Sequence, residues 1–495
     1  MWCADSDRTK AMARLQELGA VLIPEDRPQF LEFQSTNIDD DAIKAITTLD
    51  LTNTRSLFLD DTNITDAAVG VFSKIATLTD LSCAHTGISD IGIRDICRLP
   101  KLAFLNMTGT AVTDSGLACL GDVYTLEGLD VSSTSVTSVG ISHLQRLLRL
   151  HELRVGDTYC SKDVLTVLHG FKHLQKLGLS GLELQGGDLS QLDSLTLTSL
   201  DLSSSGISDA SIRQMGIQRA LEDLDLGETN ITDPTMEEIN SLPELLRLRV
   251  GGTQITSHGV NRLHNLARLE QLDLSRTSVD DTACAGLQIC QSLETMNLSR
   301  TGVTDEGVSL LVALPALQRI DLSATPVTGS AMHLLATMSR CGEVMLRNTL
   351  VDDAAVLSMR SVPSWTVLDL GGCQITDRSF RRLREFHTLQ SLGVHGVAMT
   401  DAGGRCVGEL LNLRSLDISN TQVSDVSVGS LRRLTHLQRI DLSNTNVTKE
   451  GILCLRELPY LRRVNLHGTS VAKDIETLGS LQQMLPWCRV LGGVS

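Results

Sequence analysis

Residues 269–277 read Leu-Glu-Gln-Leu-Asp-Leu-Ser-Arg-Thr, and Ser-Val-Asp-Asp follows at 278–281. Leu269, Leu272 and Leu274 are apolar, Thr277 is small and polar, and an acidic turn closes the motif. The chain repeats this unit along its length. With Thr277 as marker, the same position is held by Thr36, Thr62, Thr86, Thr110, Thr134, Thr158, Leu182, Ser205, Thr229, Thr253, Thr301, Thr325, Thr349, Cys373, Val397, Thr421, Thr445 and Thr469. These 19 markers stand 24 residues apart, except for an interval of 26 from Thr36 to Thr62 and one of 23 from Leu182 to Ser205. A fixed period in this range is the signature of a stacked, quasi-one-dimensional architecture.

The physics of one unit explains the spacing. Leu272 and Leu274 alternate with Asp273, so the leucines point inward from a short strand while Asp273 points out. Strands of successive units then lie parallel at about 4.8 Å. The marker hydroxyl stands where the chain leaves the strand, within reach of backbone that the turn leaves unpaired. Three residues on, a Thr or Ser (Thr65, Ser89, Thr113, Thr232, Thr304, Thr376, Ser424) suits a helix N-cap. The Asp after it (Asp66, Asp90, Asp114, Asp233, Asp305, Asp377, Asp425) suits the first helical turn. Apolar residues seven and ten past the marker, Leu117 and Leu120 for example, cover the sheet. Each unit is therefore strand, turn, short helix and return. Aromatic residues are only 3% of the chain although hydrophobic residues reach 42%, as expected when aliphatic ladders fill the core. By length, 495 residues would suggest several domains; the unbroken period predicts one solenoid instead.

Residues 1–27 precede the period, 28–473 hold the repeats and 474–495 follow them. In the first segment Ala11, Met12, Leu15 and Leu18 recur at helical spacing, Gly19 suits a C-cap, and Val21-Leu22-Ile23 suits a strand. A helix and strand there would cap the open end of the sheet. A helix over 474–485, followed by Trp487 and Val490-Leu491, would close the other end. Asp5 and Asp7 and the lack of a long apolar run argue against a secretory or transit leader. No run of 18 apolar residues offers a membrane span.

The twelve cysteines fit the repeat rather than a bridge framework. Cys83, Cys341 and Cys373 fill Leu or Thr slots of the unit, Cys97, Cys119 and Cys454 fall on its helical return, and no C-x-x-C occurs. Buried free thiols suit a reducing, cytoplasmic location. Asn-x-Ser/Thr triplets at Asn63, Asn106, Asn230, Asn297 and Asn446 are by-products of the repeat, and sugars at Asn106 or Asn297 would crowd the sheet face.

Phosphate-binding, dinucleotide, zinc-protease and nucleophile-elbow motifs are all missing. His395 and His467 share one outward position, but three units at about 4.8 Å separate them by about 14 Å, too far for one metal ion. His169 and His173 flank Gly170, which ends the helix, and read as surface residues. The chain is expected to be no enzyme and to hold no cofactor or metal. The unit at Leu182, L-E-L-Q-G-G-D-L-S-Q-L, lacks the Thr-Asp turn and reads as a tolerated irregularity or as a bend or contact loop near Gly186-Gly187.

What remains is the outward strand face. Four residues before the marker stand Asp130, Asp201, Asp225, Asp273, Asp321, Asp369, Asp417 and Asp441, with Arg154 and Arg249 intruding. Like charges one unit apart repel unless solvated or paired, and the arginines read either as charge compensation or as a docking patch, since Arg is favoured at interface hot spots. The candidate partner-binding residues are Arg154, Arg247, Arg249, Asp273, Arg276, Asn297, Arg300, Arg319, Asp321, Met345 and Arg347. From Arg340 onward 18 basic and 15 acidic residues give a net of +3, so a whole-chain net of −16 leaves −19 on the first 339 residues. Such a surface repels nucleic acid and anionic membranes and attracts a basic partner. The basic run Arg378, Arg381, Arg382 and Arg384 reads as a solvated helical face. The sheet face is expected to lack aromatic residues, which argues against a sugar or small-ligand groove.

The units resemble the cysteine-containing leucine-rich repeat of F-box adaptors, L-x-x-L-x-L-x-x-C-x-x-I-T-D-x-G-L, as T-A-V-T-D-S-G-L at Thr110 to Leu117 and T-G-V-T-D-E-G-V at Thr301 to Val308 show. The Cys slot is mostly Thr here, and only Cys373 keeps it. The Thr version also resembles 24-residue repeat proteins of some bacteria and protists, where a segment similar to Leu15–Ala20 precedes the first unit. An F-box is missing, so an adaptor role in a ubiquitin ligase is not carried over. The resemblance implies an α/β leucine-rich repeat solenoid, a curved horseshoe with a parallel β-sheet on its concave face and short helices on its convex face. It also implies a protein-interaction scaffold that holds a partner protein on the concave face within a larger complex. The alternative is a regulatory subunit modulating an enzyme, of the ubiquitin-ligase or small-GTPase type.

Overall fold

The computed structural model describes residues 21–23, 29–33, 38–216, 218–473, 475–485 and 488–492. The marker Thr36, the helix expected over Ala11–Leu18, its C-cap Gly19 and Trp487 lie outside them. Contacts divide the chain into two compact units, Met1–Leu245 and Leu246–Ser495. In a stack each repeat touches only its neighbours, so few contacts tie distant parts together.

In the first unit, strand Val21–Ile23 pairs antiparallel with Phe30–Glu32. From Phe30–Glu32 the strands then run parallel, one per repeat, to Asp223–Asp225. In the second unit Arg247–Arg249 begins a parallel run that continues to Arg463–Asn465 and on to Arg489–Leu491. The segment after the last repeat thus adds a strand to the sheet, preceded by helix Ile475–Met484.

Each strand is three residues long, and from Phe30–Glu32 to Arg463–Asn465 its middle side chain is buried. Leu248, Leu272, Met296, Ile320 and Val344 form one such ladder, none more than 2% exposed. The residues two further on, among them Val250, Leu274, Leu298 and Leu322, are fully buried as well. Burying one such aliphatic side chain contributes about 1.5–3 kcal/mol.

The marker hydroxyl does what its place predicts. Thr277 Oγ1 donates to the Leu274 carbonyl at 2.6 Å, and Thr62, Thr110, Thr301, Thr349 and Thr421 repeat the bond to the carbonyl three residues back. The residue before the marker carries a feature not read from the sequence: its φ is positive. Arg276 and Arg300 have φ 56°, as do Ser133 and Ala324, and the place is elsewhere filled by Gly109, Gly252, Gly372 or by Asn348, Asn420, Asn444. Here the chain turns off the strand while its N–H still bonds the next repeat, Arg276 N to Ser299 O and Arg300 N to Ser323 O, both at 2.8 Å. A left-handed corner explains the Gly and Asn.

All but one of the expected N-caps bond their helix: Thr304 Oγ1 accepts from Glu306 N at 3.2 Å and Thr376 Oγ1 from Arg378 N at 3.3 Å, whereas Thr232 makes no such bond, because Pro234 in the second helical position has no N–H to donate. The Asp that follows does more than favour its own helix dipole. Asp281 Oδ1 accepts from the backbone N–H of Thr304 (2.7 Å) and of Gly307 (3.0 Å) in the next repeat, while Oδ2 accepts from Thr304 Oγ1 (2.7 Å). The same clip is made by Asp40, Asp66, Asp90, Asp114, Asp209, Asp305, Asp353, Asp377, Asp401 and Asp425. Each carboxylate satisfies helix-terminal donors of its neighbour, so it joins one repeat to the next.

The short unit at Leu182 keeps its place in the sheet, with Lys176↔Ser199 and Leu177↔Leu200 in register. The missing residue is absorbed on the other side, where a 3₁₀ turn, Leu189–Leu192, replaces the α-helix. A 3₁₀ turn rises about 2.0 Å per residue and covers the span with fewer residues.

Candidate functional site

In the second unit the strand register assembles most of the candidate residues. One row runs Arg247, Gln271, Thr295, Arg319, Glu343, and a second runs Arg249, Asp273, Asn297, Asp321, Met345. Arg249, Asp273, Asn297, Arg319 and Asp321 line one shallow groove of about 260 Å³. Arg276 and Arg300 stand on the left-handed corners beside it and are exposed. Arg347 stands two residues past Met345, just beyond its strand, and donates from Nε to Asp369 Oδ2 at 2.6 Å, and Arg319 pairs with Glu343 at 2.9 Å. The exposed Arg319–Glu343 pair contributes at most about 1 kcal/mol, whereas Arg347 meets a buried carboxylate.

Two of the candidates stand apart. Met345 occupies an outward position, between Asp321 and Asp369 in register, yet is only 7% exposed and offers a partner little surface. Arg154 belongs to the first unit, where it bonds Glu152 at 3.0 Å.

The acidic row has a structural task that the sequence reading did not find. Asp273 Oδ1 accepts from Ser275 N at 2.8 Å, Asp321 Oδ1 from Ser323 N at 2.8 Å, and Asp369, Asp417 and Asp441 make the same bond two residues on. Asn297 Oδ1 replaces them in kind, accepting from Ser299 N at 3.0 Å. Asp and Asn are interchangeable there because the turn needs an acceptor, not a charge. The recurring Asp row is thus a turn device.

The expectation of a sheet face without aromatic residues is corrected. Phe30, Phe58 and Phe104 all lie on outward strand positions of the first unit. They stand on three strands separated in sequence but brought to one face by the stack, and reading each repeat's outward positions in register would have found them.

The basic run on helix Asp377–Leu383 is partly engaged within the molecule: Arg382 bonds Glu385 and donates to the Met359 carbonyl at 2.9 Å, and Arg384 lies 3.7 Å from Glu409.

All described cysteines are free. Burial pushes the Cys290 thiol up to about 11 and those of Cys284, Cys341 and Cys488 up to about 12. The thiolate is the reacting form. Iodoacetamide at about pH 8 is therefore expected to leave these four unlabelled in the native protein and to label them in denaturant, as peptide mass spectrometry would show. Labelling of any of the four at the rate of a free thiol would contradict this packing.

A family model described as a leucine-rich repeat matches residues 193–213, 290–312 and 433–455, each inside the register already derived. The chain is a leucine-rich repeat protein. Among curated proteins no sequence relative matches it. Solved structures similar to this leucine-rich repeat chain include mouse RP105 in its complex with MD-1, at 16% identity over 92% of this chain and 89% of that chain, with a TM-score of 0.49. An internalin from Listeria monocytogenes is 19% identical over 74% and 88%, with a TM-score of 0.37. A leucine-rich repeat protein from Leptospira interrogans is 16% identical over 92% and 94%, with a TM-score of 0.35. None of these likenesses bears on what this chain binds. Among the described residues no helix is long and apolar enough to cross a membrane.

Proposed function

We propose that this protein is a non-enzymatic scaffold that holds a partner protein on the outward strand face of its repeats, within a reducing, cytoplasmic compartment. One observation carries the reading. Along the first five strands of the second unit the inward strand residue is always aliphatic or Met, Leu248, Leu272, Met296, Ile320, Val344, while the outward row beside it changes chemistry at every step, Arg247, Gln271, Thr295, Arg319, Glu343. Stacking requires only the inward row, so the outward row is free to encode recognition. A preformed strand face also costs little ordering on binding. The groove bearing Arg249, Asp273, Asn297, Arg319 and Asp321 is the proposed docking patch, with Arg276 and Arg300 at its edge. The free cysteines support the compartment.

The test is affinity purification with mass spectrometry from the native cell, comparing wild type with an Arg249→Glu/Arg276→Glu/Arg300→Glu variant that circular dichroism shows to be folded. A partner held by wild type and lost from the variant, by at least tenfold for three reversed charges, is the expected outcome. The same set of proteins on both would remove this patch as the docking surface.

A further inference from the structure

The chain has eight phenylalanines. Phe33, Phe72, Phe171, Phe380 and Phe386 are core residues, none more than 3% exposed. The other three, Phe30, Phe58 and Phe104, share the strand face of the first unit. The Phe30 and Phe58 rings are 4.9 Å apart. Phe104 is 38% exposed, and its neighbour in register is Gly128. A Cβ at Gly128 would come within 2.6 Å of the Phe104 ring, so this ring lies across the next strand because that residue has no side chain. On a face where any small polar residue would satisfy the fold, placing rings in water is costly, and such rings mark contact sites.

The rings are set among carboxylates. Asp80 stands in register beside Phe104, on the strand between the two rings, and accepts from Thr79 Oγ1 at 2.6 Å. Phe58, Asp80, Phe104, Asp130 and the Glu152–Arg154 pair line one groove of about 320 Å³, the scale of a large side chain or a small ligand. Because Arg154 is matched by Glu152, Asp80 and Asp130 leave the groove negative. The surrounding unit, Met1–Leu245, holds 18 basic and 36 acidic residues, a net of −18.

We infer that this groove docks a basic segment of a partner protein, with one arginine or lysine side chain laid against the Phe104 ring between Asp80 and Asp130. The ring face attracts a cation, the two carboxylates supply the opposite charge, and the aliphatic stem of the incoming side chain covers apolar ring surface. Charge complementarity fixes the occupant: an acidic or phosphate-bearing ligand would meet repulsion from the whole unit. The inference rests on the protein-binding reading of the strand face and adds to it the partner's chemistry and a second contact site.

The experiment measures fluorescence anisotropy of a labelled peptide of alternating arginine and glycine on the full chain at about 150 mM salt, where long-range charge effects are screened. A glutamate–glycine peptide is the control. The arginine peptide is expected to bind and the glutamate peptide to fail. Phe104→Leu keeps apolar bulk but removes the ring face, and is expected to weaken binding roughly fivefold. Phe104→Tyr is expected to keep it. Phe104 is exposed, so both variants should fold, as circular dichroism would show. Wild type that ignores the arginine peptide overturns the inference, and so does Phe104→Leu that binds like wild type, because attraction would then be unspecific charge. Either failure, alongside a native partner still lost from the triple arginine variant, leaves the protein-binding reading standing and removes only this site.

Discussion

Replacing Asp401 with alanine is expected to destabilise its pair of repeats by about 3 kcal/mol. Asp401 Oδ1 accepts from Ser424 N at 2.9 Å and Ser427 N at 3.2 Å, and Oδ2 accepts from Ser424 Oγ at 2.6 Å. Without the carboxylate, the first donors of helix Asp425–Ser430 lose their partners in a half-buried seam between repeats. Urea denaturation would show the loss, and hydrogen exchange would show it locally, with the Ser424 and Ser427 amides exchanging roughly a hundredfold faster. An unchanged exchange rate at both amides would refute the clip. Acid provides a second reading of the same contact. Burial raises the Asp401 carboxyl, but hydrogen bonds from Ser424 and Ser427 outweigh it and hold the group below its ordinary value, and Asp353 and Asp209 behave alike. A folded value below the unfolded one means that the contribution is complete above about pH 4 and lost as pH falls through the folded value. The gap in stability between wild type and Asp401→Ala should therefore be full at neutral pH and narrow in acid; a gap that did not narrow as pH fell below about 4 would point to lost packing instead.

Gly307→Leu is expected to cost about 3 kcal/mol as well, by overpacking the same kind of seam. A Cβ at Gly307 would lie 2.4 Å from Asp281 Oδ1, 2.9 Å from Val303 Cγ1 and 3.0 Å from Cys284 Sγ. The Asp281 side chain has to swing away, which breaks its bonds to Thr304 and Gly307. Thus the clip explains why this helical position is Gly92, Gly116, Gly307 and Gly403, or another small residue such as Ala331, Ser379 and Ser427. Gly429, also in a helix, has nothing within 4 Å of a Cβ, so Gly429→Ala should instead stabilise by about 0.5–1 kcal/mol. Opposite shifts of the urea midpoint are the expected result, and shifts of equal sign would show that the clip does not set the size limit.

The recurring Asp after each N-cap was legible as a helix-terminal residue, since capping is a rule about neighbours in sequence. Its second role was not, because the Thr or Ser that it clips lies 23 residues on and comes near only when repeats stack. Arg276 and Arg300 were legible as exposed cations, while their left-handed backbone shows only once the chain is seen turning off the strand with its N–H still held by the next repeat. The candidate face was legible in part. Period and alternation place Arg249, Asp273, Asn297 and Arg319 on one side, but the burial of Met345 and the meeting of Phe30 with Phe58 depend on what neighbouring strands bring.

By itself the sequence determined the period, the strand–turn–helix order of each unit, the inward aliphatic ladder and the work of the marker hydroxyl. These follow from contacts within one unit, which recur every 24 residues and so are written out many times. Only the tertiary structure decided how units are fastened to one another, how the short unit at Leu182 keeps its register, and which outward side chains form a groove. Those outcomes belong to pairs of residues about one repeat apart, whose distance is set by stacking and not by the chain between them.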